Sequence, residues 1–115
     1  MSAFLGNVFI LGDSYSTFEG YNPEGYAVWY NKDRTVESGL TGVEKTWWHK
    51  IINQTNSQLV MNNSWSGSTV CYTGYNGLYC LESSFITRAR KHIISGKCND
   101  KQINTIFVFG GTNDN

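Results

Sequence analysis

The chain has almost no net charge. Nine basic and nine acidic side chains balance across 115 residues. That balance removes the electrostatic case for nucleic acid or an anionic membrane as partner. No apolar run approaches the ~20 residues that a membrane helix needs. Residues 1–6 are too short and uncharged for a secretory leader. A cytoplasmic location is therefore expected, or a secreted one if a leader has been removed. Cysteine is scarce: Cys71, Cys80 and Cys98 form an odd set at irregular spacing. Such a set argues against a disulfide framework, with a Cys71–Cys80 bridge as the lesser alternative. No Cys/His spacing resembles a zinc site, so no metal and no cofactor is expected. There are two histidines, His49 and His92. Internal repeats, low-complexity segments and a G-x-G-x-x-G phosphate loop are all missing.

What is present is organised around residues 7–15. An apolar run at 8–11 reads as a buried strand that stops at Gly12, where glycine frees the backbone to turn sharply. Asp13 and Ser14 follow. A hydroxyl just past the carboxyl end of a buried strand sits where open α/β sheets place their chemistry. The plainer alternative is that Asp13 and Ser14 cap the next turn. A long polar and aromatic stretch, 16–43, follows with five glycine or proline turn formers, and a short strand or turn is expected at 26–30. Residues 46–53 then read as a helix, with Thr46 as N-cap and Trp47, Trp48, Ile51 and Ile52 on one face. A short strand is expected at 58–61 and a polar loop at 62–69. Irregular backbone is expected through 71–81, where Tyr72, Tyr75 and Tyr79 serve either packing or a ligand surface. A second helix is expected at 84–95, capped by Ser83 or Ser84 and stopped by Gly96. Phe85, Ile86, Ala89 and Ile93 make its apolar face, with Arg88, Lys91 and His92 elsewhere. The last strand, 105–109, has an apolar run without alternation, the pattern of a parallel strand covered on both faces. The length suits one domain, 1–115.

Three strands thus end in small polar loops: Gly12-Asp13-Ser14, Ser66-Gly67-Ser68 and Gly111-Thr112-Asn113-Asp114. In a parallel sheet all three loops share one edge. Together they offer a hydroxyl, a backbone N–H and a side-chain amide, the set that acyl transfer requires. The loops resemble the sequence blocks of the SGNH hydrolases, also called the GDSL esterase/lipase family. Gly12-Asp13-Ser14-Tyr15 resembles the first block, with Tyr where the family's name has Leu. Gly67 resembles the glycine block, and Gly111-Thr112-Asn113-Asp114 matches the Gly-x-Asn-Asp block.

The resemblance implies a flavodoxin-like three-layer α/β/α sandwich whose parallel sheet begins in the order 2-1-3. It implies that Ser14 is the nucleophile, and that the Ser14 N–H, the Gly67 N–H and the Asn113 amide form the oxyanion hole. The implied substrate is a small ester or an acylated carbohydrate, with an acetyl ester preferred because the 16–43 stretch is rich in aromatic rings. The family's fourth block, Asp-x-x-His, has no counterpart here. Both histidines fall inside expected helices, away from the loop edge. The resemblance therefore implies the amino-terminal portion of such a domain, inactive alone for want of a base. Two alternatives stand beside it: a non-catalytic flavodoxin-like module that binds an anion or cofactor, and a degenerate esterase that binds an ester or glycan. In the 2-1-3 order the strand at 105–109 is an unpaired apolar edge. It needs either further sequence or self-association through that edge.

Overall fold

The computed structural model describes residues 5–72 and 81–114. Its centre is β1 (Asn7–Gly12), buried from Val8 onward. β1 pairs in parallel with β2 (Gln58–Ser64) on one side and with a strand at Thr105–Phe109 on the other. That third sheet strand is the fifth among the described residues. A two-residue hairpin precedes it: β3 (Lys97–Cys98), β4 (Lys101–Gln102), then β5 (Thr105–Phe109). The sheet order β2-β1-β5 is the expected 2-1-3 order. The hairpin was not expected. Asn99 and Asp100 turn it with φ of 52° and 65°, the left-handed pair that two-residue hairpins favour.

Alternation along β1 divides the core. Val8 and Ile10 face Phe18 and Trp48 on one side; Phe9 and Leu11 face Phe85 and Cys98 on the other. The first layer comes from α2 (Trp47–Gln54) and the second from α3 (Phe85–His92), while α1 (Thr35–Ser38) is a single turn within the long loop. The result is the doubly wound three-layer sandwich. No helix among the described residues is long and apolar enough to cross a membrane.

The helix starts follow their caps. The Thr46 hydroxyl accepts from the His49 N–H at 3.4 Å, and the Ser84 hydroxyl accepts from the Thr87 N–H at 3.1 Å. α3 ends at His92, three residues short of the expected 84–95, and the Gly96 N–H then bonds the Ile93 carbonyl at φ +77°. Of its expected apolar face, Phe85, Ala89 and Ile93 do pack on the sheet, but Ile86 is exposed. Trp48 is 2% exposed and packs among Val8, Ile10 and Phe18. Trp48→Ala should cost about 3–5 kcal/mol, read as a lower urea midpoint. Its indole N–H has no partner among the described residues, so Trp48→Phe should cost markedly less.

Several expectations change. Asn62, Asn63 and Ser64 are not loop but the buried end of β2. Their polar groups are satisfied: Asn62 Nδ2 donates to the Ser16 carbonyl at 2.9 Å, and the Ser64 hydroxyl donates to Asn62 Oδ1 at 2.6 Å. No strand forms at 26–30; that segment is tied down by Ser66 N–H donating to the Ala27 carbonyl and Glu19 N–H donating to the Tyr30 carbonyl.

β5 is not covered on both faces. Phe107 meets the Trp47 ring at 6.0 Å, but Ile106, Val108 and Phe109 are 41%, 62% and 44% exposed. The register puts Ile106 beside Phe9 and Val108 beside Leu11, on the α3 side. There α3 packs over β1 and β2 and leaves β5 open. Tyr75, Tyr79, Cys80 and most of the irregular stretch at 71–81 lie outside the described residues.

Candidate active site

The turn after β1 is built by Asp13 and Gly12. Asp13 caps a short 3-10 turn, Ser14–Ser16, its Oδ1 accepting from the Tyr15 N–H at 3.1 Å. The need for glycine at position 12 is spatial rather than conformational. Its φ is ordinary, but a Cβ there would meet Ser16 Oγ at 2.6 Å and Ser64 Oγ at 3.0 Å. The turn therefore folds back tightly onto the strand ends and leaves Ser14 half-buried above them. Asp13 itself is fully buried, and Oδ2 has no partner among the described residues. Burial raises its pKa, against the opposing pull of the Tyr15 N–H and the Arg88 charge.

Gly67 sits in the loop after β2 at φ +81°, with open space where a Cβ would stand. Here the backbone conformation is what asks for glycine. The third loop turns at Gly111, φ +101°, closed by the Asp114 N–H donating to the Gly111 carbonyl. Two side chains staple it to the second loop. Asn113 Nδ2 donates to the Ser68 carbonyl at 2.9 Å, and the Asp114 carboxylate accepts from the Val70 N–H at 2.9 and 3.1 Å.

Ser14, Gly67 and Asn113, each predicted from sequence, line one open cavity of about 430 Å³ together with Tyr15, Trp29 and Ser66. Trp29 comes from the long 16–43 loop, held by its N–H donating to Thr17 Oγ1 at 3.0 Å; the Arg34 guanidinium stacks 4.1 Å over its ring. Neither histidine lines this cavity. His49 lies in α2 and His92 in α3, where burial lowers the His92 pKa and its ring meets Phe9 at 6.3 Å.

Sequence reasoning missed Arg88, Ser68 and the stapling role of Asp114. Arg88 was expected off the apolar face; it is 1% exposed, and burial lowers its pKa to about 10. A signal was present: Arg88 lies three residues after Phe85, in the same helical phase, but its charge argued for solvent.

No curated protein matches the sequence. A crystal structure described as a GDSL-like lipase from Bacteroides ovatus shares 45% identity and superposes with a TM-score of 0.80 over 96% of this chain. Another from Bacteroides uniformis shares 43% identity with a TM-score of 0.75 over 95%. The chain spans about half the length of each, 50% and 48%. The family model for GDSL-like lipase/acylhydrolases matches residues 6–115, and with three strand-end loops gathered on one cavity this chain belongs to that family.

Proposed function

We propose that the protein is a serine ester hydrolase working through an acyl-enzyme on Ser14. The observation that carries the reading is the shared cavity of Ser14, Gly67 and Asn113 at the carboxyl edge of a parallel sheet. In the reaction, Ser14 Oγ attacks the ester carbonyl carbon and gives its proton to a base. The carbonyl oxygen becomes an oxyanion, which accepts hydrogen bonds from the Ser14 N–H, the Gly67 N–H and the Asn113 amide. Collapse expels the alcohol, and water then releases the acid from Ser14. An amide nitrogen carries two N–H groups. One of Asn113's donates to Ser68, and the other is the donor assigned to the oxyanion.

The general base belongs, in this reading, to sequence outside these 115 residues. That fits a chain spanning half of its solved relatives and a cavity without a histidine. A carbohydrate acetyl ester is the favoured substrate, because Tyr15 and Trp29 are 48% and 43% exposed at the cavity and offer faces for a sugar ring. Asn113→Ala in the full-length protein should lower kcat on a chromogenic acetate ester by about 10²–10³-fold, the usual cost of one oxyanion donor. An acetylated oligosaccharide should be turned over faster than the acetate of a simple alcohol. If the full-length protein hydrolyses no ester yet binds the oligosaccharide, the degenerate, binding-only reading replaces this one.

A further inference from the structure

Arg88 carries a buried charge with no carboxylate in ion-pair contact among the described residues. Burying a cation is costly unless its hydrogen bonds are met. Among the described residues every acceptor Arg88 uses is a backbone, amide or hydroxyl oxygen, and most belong to the loops and strand ends that frame the cavity. Nη1 and Nη2 each donate to the Gly12 carbonyl at 3.3 Å, two residues before Ser14. Nη1 also donates to the Asn63 carbonyl at 2.6 Å, near the end of β2. Nη2 donates to Ser68 Oγ at 2.9 Å, and Nε, at 2.9 Å from the Ser83 carbonyl, anchors the group to the start of α3. Ser68 carries the chain onward. Its hydroxyl lies 3.4 Å from the Gly12 carbonyl, its own carbonyl holds the Asn113 amide at 2.9 Å, and Gly67 is its neighbour.

We propose that Arg88, acting through Ser68, is a positioning residue that sets the Gly67 N–H and the Asn113 amide relative to Ser14. One rigid guanidinium spans the end of β1, the end of β2 and the loop that bears Gly67, while α3 holds it from below. A planar fork with five donors in fixed directions can do this, and a lysine ammonium cannot. The guanidinium does not line the Ser14 cavity; in this proposal it fixes the geometry of groups that do. The kinetic consequence rests on the hydrolase reading above, but the positioning itself does not.

The test uses full-length protein with Arg88→Lys, Ser68→Ala and, as control, Arg90→Lys on the exposed side of α3. Two quantities are read: the ¹H–¹⁵N resonances of the Gly67 amide and the Asn113 side chain, and kcat and KM on a chromogenic acetate ester. Both resonances should move in Arg88→Lys and stay in place in Arg90→Lys; in Ser68→Ala, where Gly67 is the covalent neighbour, the Asn113 side-chain resonance is the one that should move. kcat should fall about 10²-fold, the scale of a misplacement of about 1 Å, with KM little changed. Ser68→Ala carries the test if Arg88→Lys does not fold, because it leaves Arg88's three backbone acceptors intact. Unmoved resonances in a folded variant overturn the positioning role whether or not the protein is an esterase. A fall in kcat that merely follows a lowered melting temperature also overturns it. Moved resonances in a protein that hydrolyses no ester uphold the positioning and defeat the hydrolase reading instead.

Discussion

Ser14→Ala in the full-length protein should lower kcat on a short acyl ester by about 10⁴–10⁶-fold, as loss of a serine nucleophile does elsewhere. Its melting temperature should stay close to wild type. That second half of the prediction comes from the local bonding. Among the described residues the hydrogen bonds of Ser14 run through its carbonyl, which accepts from the Thr17 N–H at 3.2 Å and from Thr17 Oγ1 at 2.8 Å. Alanine keeps both, and the short 3-10 turn is capped by Asp13 rather than by Ser14. A half-buried residue with no supporting side-chain bond among the described residues should change stability by no more than about 0.5 kcal/mol. A chromogenic acetate assay beside a thermal melt measures both. Turnover near the wild-type rate would mean that another group is the nucleophile. Lost turnover with a lowered melting point would mean that Ser14 matters to the fold instead.

Much of this molecule was legible because apolar periodicity and small-residue loops are strong local signals. Strand β1, the Thr46 cap, the residues of β5 and the shared edge for Ser14, Gly67 and Asn113 all follow from such patterns. The misreadings of residues 62–64 and of Arg88 share one cause: buried polarity. Asn62, Asn63 and Ser64 look like a loop until the Ser16 carbonyl and Arg88 are known to meet them from elsewhere in the chain. Those partners stand 46 and 25 residues away, so no local window contains them. Arg88 misled for the same reason, since its compensation comes from the ends of two strands. Gly12 was placed correctly for a different reason: the strand end needs room for Ser16, not a left-handed φ. Coverage of β5 was misread because an unbroken apolar run shows what a strand can bury, not what is there to bury it.

That uncovered strand carries the remaining large effect: residues 1–115 expressed alone should associate through β5. Among the described residues β5 is hydrogen-bonded on one side, to β1, so its outer row of N–H and C=O groups faces outward. Its α3-side residues, Ile106 and Val108, are 41% and 62% exposed, and the strand carries no charged residue. Edge strands of this kind template pairing, and lysine is a usual way of blunting them. Light scattering on a size-exclusion column should give the isolated chain at least twice its monomer mass. Ile106→Lys combined with Val108→Lys should return it toward a monomer. The two changes should cost little stability, because both side chains are largely exposed and neither belongs to the two core clusters. In a protein of the relatives' full length, the same double variant should instead be strongly destabilising if further strands and helices cover that face. The contrast between the two lengths reads out what occupies it. A wild-type chain that elutes as a monomer with a sharp cooperative melt would show that the three-strand unit stands alone, and the β5 edge would then be inert.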